Sequence, residues 1–178
     1  IDHLFLYPSS NVRIGAINVN NTLNFWPGGT VNLTGDWNVG VLNLGTGASV
    51  QPPLILNTGT YNLNVGSFSI GMANNDRNDV VNLGSGTHTF RGHFGQSTNA
   101  TGATVDFGSS TVYLNNTSTA NISFKGMAVI PGTSTVHLQG AGISNLYACT
   151  SGDNIDKIPL NNLTCETSNK TINVEAGK

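Results

Sequence analysis

An all-β chain wound into a parallel β-solenoid (β-helix) of about five to six coils is the fold this sequence predicts. Three observations predict it. First, one short phrase recurs: a small-residue turn, then Thr, then an apolar–polar–apolar run. It stands at Thr30, Thr60, Thr87, Thr111, Thr135 and Thr171, at intervals of 30, 27, 24, 24 and 36 residues. Self-similarity at that period marks a stack of like units. Second, each phrase alternates with strand periodicity rather than helical periodicity, and no stretch carries an apolar helical pattern. Third, Gly or Ser stands directly before the Thr of five of the six phrases, Lys170 before the sixth, and such small-residue turns supply the conformations that a sharp corner needs.

Along the chain, residues 1–27 fit the repeat poorly. They read as an N-terminal cap or as a linking or donated strand, with the apolar, extended "HLFLY" as its candidate. Residues 28–178 read as the solenoid domain. Between the phrases lie further β-prone runs, "DWNVGVLNLG", "SFSIG" and "NISFKG", each ending in or near Gly. If each repeat is one coil, equivalent positions stack about 4.8 Å apart. One inward column is then Val31, Tyr61, His88, Val112, Val136 and Ile172, and a second is Leu33, Leu63, Phe90, Leu114, Leu138 and Val174. Asn32, Asn62, Thr89, Tyr113, His137 and Asn173 face outward between them. The longest interval ends at Thr171 and holds Cys149 and Cys165, so an inserted loop near 149–165 closed by a disulfide is expected. The chain-entropy model gives such a bridge about 3 kcal/mol. The rival fold is a β-sandwich filament subunit joined by strand donation.

Composition sets the class of environment. Charged residues are 9% of the 178, hydrophobic ones 38%, and the formal net charge is −2. That leaves no basic face for nucleic acid, and no apolar run reaches the roughly 20 residues of a membrane span. The chain opens on Ile1, without a signal peptide, and reads as a mature product or a piece of something longer. The triplet N-x-[ST] occurs at Asn20, Asn32, Asn99, Asn115, Asn116, Asn121, Asn162 and Asn169. With 25 Asn in a Ser- and Thr-rich chain, about five such triplets arise by chance. Low charge, a disulfide and glycan acceptors together point to a secreted or cell-surface protein.

Chemistry is sparse. Glycan-cleaving solenoids need converging carboxylates, and the nine acids here make one dense group, Asp76 and Asp79 around Arg77, which reads as a solvated loop. Asp153 and Asp156 lack any calcium-loop spacing. His88 and His93, five apart, fall on opposite faces of a straight strand, and His137 faces solvent. "GVLNLGTG" lacks the lysine and helix of a phosphate loop. Trp26 and Trp37 could stack on sugar rings, but a capping or corner-packing role is the favoured reading of each. No catalytic residue, metal site or cofactor is predicted.

"FGSSTVYLNN", "PGTSTVHLQGAG" and "PLNNLTCETSNKTINVEAG" resemble the repeats of large secreted β-solenoid proteins. Those occur as microbial surface proteins, adhesins and autotransporter-like stalks, with related patterns in phage fibres. In such repeats a Gly-rich corner and a Thr-Val-x-Leu strand precede an Asn-Leu-Thr segment, here Asn162, Leu163 and Thr164. The resemblance covers roughly residues 28–178 and implies a fold and a location, not a chemistry. The cysteine pair departs from the usual cysteine-free pattern. The function expected is a structural extracellular one: a subunit or module of a filament, stalk or coat, joined head to tail to identical subunits or adjoining modules. The alternative is a glycan- or surface-binding adhesin module.

Overall fold

The computed structural model describes residues 2–8, 10–26, 28–45, 52–71, 78–96, 102–147 and 160–175. Among them the chain is all β, a parallel β-solenoid of about five turns. Its strands are β1 (His3–Leu6), β2 (Asn11–Ile14), β3 (Ile17–Phe25), β4 (Thr30–Leu33), β5 (Trp37–Leu44) and β6 (Ile55–Asn57). Then come β7 (Leu63–Ile70), β8 (Val80–Asn82), β9 (Thr87–Phe90), β10 (Phe94–Gln96), β11 (Ala103–Asp106) and β12 (Thr111–Asn115). The last six are β13 (Ala120–Ser123), β14 (Met127–Ile130), β15 (Thr135–Gln139), β16 (Ser144–Tyr147), β17 (Asn162–Cys165) and β18 (Ile172–Glu175).

Each coil passes three faces in turn. The first face is the six-stranded sheet β2-β4-β6-β8-β11-β14. The second and third belong to one twelve-stranded sheet, because β3, β5 and β7 run through both before the later coils divide into β9 and β10, β12 and β13, β15 and β16. The crease in the long strands falls where Gly40 stacks on Asn20 and Gly66 on Gly40. A Cβ on Gly66 would lie 2.3 Å from the Gly40 carbonyl oxygen. Every strand pairing is parallel, from β1 on β3 to β16 on β18. That excludes the sandwich alternative, whose hairpins would pair antiparallel. Parallel pairing starts at His3, so residues 3–25 already lie in the solenoid sheets, ahead of the boundary expected at residue 28.

The corner between the first and second faces explains the repeated phrase. Gly59, Gly84, Gly108 and Gly132 stack there with φ of 63°, 57°, 56° and 55°. The amide of the residue after each upper glycine donates to the glycine carbonyl below: Ser85 to Gly59, Ser109 to Gly84 and Thr133 to Gly108, at 2.7–2.8 Å. Ser110 and Ser134 then close the turn with hydroxyl bonds of 2.7 Å to the carbonyls of Phe107 and Pro131.

Inside, side chains from all three faces make one apolar column per position. On the second face His88 stands in register with Val112, Val136 and Leu163, and Phe90 with Val65, Leu114, Leu138 and Cys165. On the third face Leu4, Leu23, Leu42, Phe68, Phe94, Ile122, Leu146 and Val174 follow one another. Phe68, Phe90, Phe94, Phe107 and Phe124 form a continuous aromatic cluster at mid-stack, with centroids 4.5–6.4 Å apart. Outside, asparagine ladders tie the coils together. Asn57 donates to Asn32 at 2.8 Å and Asn82 to Asn57 at 2.7 Å on the first face, and Asn64 to Asn38 at 2.8 Å on the second. On the third face Asn145 donates to Asn121 at 3.0 Å and Asn173 to Asn145 at 2.8 Å.

The expected columns are therefore half correct. His88, Val112 and Val136 share one inward column, and Phe90, Leu114 and Leu138 the next, as read. Val31 and Leu33 lie instead on the first face, over Val12 and Ile14. Ile172 and Val174 lie on the third, over Ser144 and Leu146. Tyr61 sits half-buried in the turn before β7, and Leu63 takes the place assigned to it. The cause is physical: a small-residue turn followed by Thr and an alternating run satisfies any corner, not one particular corner. True coil lengths are more even than the phrase intervals. Trp37, Leu63, His88, Val112, Val136 and Leu163 lie 26, 25, 24, 24 and 27 residues apart.

Candidate association surface at the open ends

Within the stack an inward side chain is sealed by the coils above and below it. Val136 and Leu146 are 1% and 2% exposed. One coil further on, in the same two columns, Leu163 and Val174 are 46% and 67% exposed. Among the described strands β17 pairs only with β15, and β18 only with β16. Among the described strands their outer edges have no partner, and a free strand edge beside apolar side chains is the arrangement that templates a further strand. A shallow groove lined by Asn145, Tyr147, Asn173, Val174 and Glu175 runs along the edge of β18. At the other end β1 pairs only with β3 and β2 only with β4, and Leu4, Leu6, Val12 and Ile14 are only partly covered.

Two polar clusters hold the last coil down. The Lys170 ammonium donates to Asn116 Oδ1 and Gln139 O at 2.9 Å, to Gly142 O at 3.0 Å and to Gly140 O at 3.2 Å. It thereby ties the final coil to the corners of the two before it. Burial pulls its pKa below the usual lysine value. Glu166 takes the amide of Gln139 at 2.5 Å and pairs with the His137 imidazole. Those hydrogen bonds, Gln139 first, hold its carboxyl below the ordinary range. Tyr113 stacks on His137 at 4.8 Å. So His137 does face outward, as expected, but it is engaged rather than solvated. The sequence reading missed Lys170 and Glu166, because a lone Lys and a lone Glu in a polar run carry no pattern of their own.

The other sequence candidates are placed as follows. His88 is fully buried: Nδ1 accepts from the Leu63 amide at 3.2 Å, and Nε2 lies 2.8 Å from the Leu83 carbonyl. Desolvation lowers its pKa to about 4, opposed by that carbonyl. It is a neutral core histidine satisfied by backbone. His93 lies beyond the crease on the third face, and burial lowers its pKa too. Asp79 is buried, with Oδ1 accepting from the Leu54 amide at 2.8 Å. Asp76, Arg77, Asp153 and Asp156 lie outside the described residues. Trp37 packs flat against Phe25 at 5.8 Å and donates to Gly15 O at 2.9 Å, a corner-packing role. Trp26 is exposed.

Cys165 ends β17 with an exposed thiol 3.8 Å from the Thr167 carbonyl; Cys149 lies outside the described residues. Of the acceptor asparagines, Asn20, Asn121, Asn162 and Asn169 are exposed and Asn32 and Asn115 half-exposed. Asn99 is outside the described residues. Asn116, although in an acceptor triplet, is 2% exposed. Its amide donates to Ser118 O and Ile143 O, and its oxygen accepts from Ser144 and Lys170. It is an interior corner brace. Among the described residues no three His, Cys, Asp or Glu side chains converge as metal ligands would, and no helix is long and apolar enough to cross a membrane.

Set against protein-family models, characterised proteins and solved structures, the chain has no significant match to any of them.

Proposed function

We propose that this chain is a structural module of an extracellular fibre, stalk or coat of the microbial surface type. It works by shape rather than by catalysis, joined head to tail at its open ends to adjoining modules or identical copies. The observation that carries the reading is the change from 1% and 2% to 46% and 67% exposure between the last two coils, in columns that are sealed one coil earlier. A net charge of −2 repels copies only weakly. A strand-edge contact that extends is heterologous by necessity.

Coil phase refines the picture. β1 and β18 both occupy the third face, so β1 of the following unit pairs in parallel on β18 with Leu4 in the column of Leu146 and Val174. Between β17 and β3 of the following unit the second face then lacks one strand, which sequence from an adjoining module supplies. A Cys149–Cys165 disulfide and glycans on the exposed acceptor asparagines belong to the same secreted reading.

Sedimentation over a concentration series tests it. We expect reversible, concentration-dependent association that Val174→Lys abolishes without altering far-ultraviolet circular dichroism. A strict monomer at about millimolar concentration, where even weak contacts populate, overturns the proposal.

A further inference from the structure

Open ends account for Leu163 and Val174, but not for three other exposed apolar side chains. Phe5, Tyr7 and Trp26 are 54%, 65% and 38% exposed, and they turn outward. On β1, Leu4 and Leu6 pack on the core, so His3, Phe5 and Tyr7 occupy the opposite side of the strand. Trp26 follows β3 directly, its amide donating to Leu6 O at 2.9 Å. This brings its indole against Tyr7, with centroids 5.2 Å apart and planes inclined by 27°. All the large exposed aromatic side chains of the described residues lie in this one place; the other large exposed hydrophobics are the aliphatic Ile130, Ile143, Leu163 and Val174.

We propose that Phe5, Tyr7 and Trp26 form a stacking platform for a neutral saccharide chain. Ring faces carry partial negative charge, and the axial C–H groups of a pyranose carry the complementary positive polarisation. From His3 to Tyr7 the row runs four strand steps, roughly 13 Å, the span of two to three pyranose rings. The flank supplies neutral hydrogen-bonding groups: Asn21 reaches the His3 imidazole at 3.2 Å, and Thr22 donates to Asn21 at 3.3 Å, all exposed. No Asp, Glu, Lys or Arg stands between His3 and Tyr7, which selects an uncharged ligand.

Size argues against a protein partner. At 150–250 Å² for a whole aromatic side chain, the exposed parts of the three come to about 300 Å². A stable protein interface takes about 800 Å² from each side. Because the platform faces outward, it stays open when the edge of β1 pairs with another strand, so this function is separate from end-to-end assembly.

Tryptophan emission reads the site selectively, since Trp37 is buried and Trp26 is exposed. The full chain is titrated with cellopentaose, chitopentaose and maltopentaose, each to about 10 mM, the weak end of measurable binding. At least one should shift Trp26 emission to the blue with saturation. Trp26→Ala should remove the shift, and Tyr7→Ala should weaken binding by at least tenfold, followed by calorimetry. Circular dichroism and unchanged Trp37 emission check that the variants fold. No response to any of the three sugars overturns the proposal, as does binding within twofold of the parent in both variants. A blue shift that appears on concentrating the protein without sugar assigns the patch to a second copy and overturns it equally.

Discussion

Replacing Gly108 by Ala tests whether the glycine corner is what locks one coil onto the next. Two costs are added at that position. With φ of 56° the alanine is held in the left-handed region, about 1–2 kcal/mol for an L residue. Its Cβ would also stand 2.4 Å from the Gly84 carbonyl oxygen. Relief requires the two corners to part, which stretches the 2.8 Å bond from Ser109 N to Gly84 O and forfeits about a further 1 kcal/mol or more. The expected loss is about 2–4 kcal/mol. Gly59 supplies the internal control. It has nearly the same φ, 63°, but nothing lies within 4 Å of an added Cβ, so Gly59→Ala carries the conformational term alone. Both alanines narrow the unfolded ensemble alike, so that contribution cancels in the comparison. Equilibrium urea unfolding followed by circular dichroism gives the two midpoints, with the slope checked for constancy. Coincident midpoints would refute the reasoning, since they would mean that carbonyl contact between stacked corners carries no energy.

His88 makes stability pH-dependent. Its folded pKa, about 4, lies below its unfolded value near 6.5, so the unfolded chain binds the proton more readily. Stability falls as pH drops from about 6.5 to about 4, by about 3 kcal/mol. His88→Gln should flatten that slope in urea midpoints measured across the window; an unchanged slope would show that His88 is not its source. Lys170→Met strips the ammonium from one amide and three backbone oxygens. Hydrogen exchange in β17 and β18 should quicken by the equivalent of about 1–3 kcal/mol, while β9 and β12 keep their protection; uniform acceleration would refute a local role. In native material, reduction should release a Cys149–Cys165 bridge, and glycan should be found on Asn20, Asn162 or Asn169 but never on Asn116. Free thiols with a bare polypeptide mass would remove the support for a secreted origin.

The fold was legible because solenoid physics repeats locally. Thr87, Thr111 and Thr135 begin strands that stack in one row, and the alternation in "TVYL" and "TVHL" already separates Val112 and Leu114, inward, from Tyr113, outward. Each of those facts follows from a few neighbouring residues, and a sequence displays such patterns directly. Phase around the coil does not. Thr30 and Thr171 carry the same local signature as Thr111, yet they lie at other corners, and Thr60 shares the corner of Gly84 and Gly108 but stands two residues ahead of the row of Thr87, because a corner requires only small residues and its identity and register depend on what stacks beneath it. Contacts between distant residues were equally hidden. Lys170 reaches Asn116 across 54 positions, and Tyr7 meets Trp26 only because β1 pairs with β3. The sequence alone determined strand, corner and inward–outward alternation. Only the closed stack decided which polar groups became braces, which histidine was buried neutral, and which aromatic rings remained in solvent, since those outcomes depend on pairings between coils rather than on neighbours along the chain.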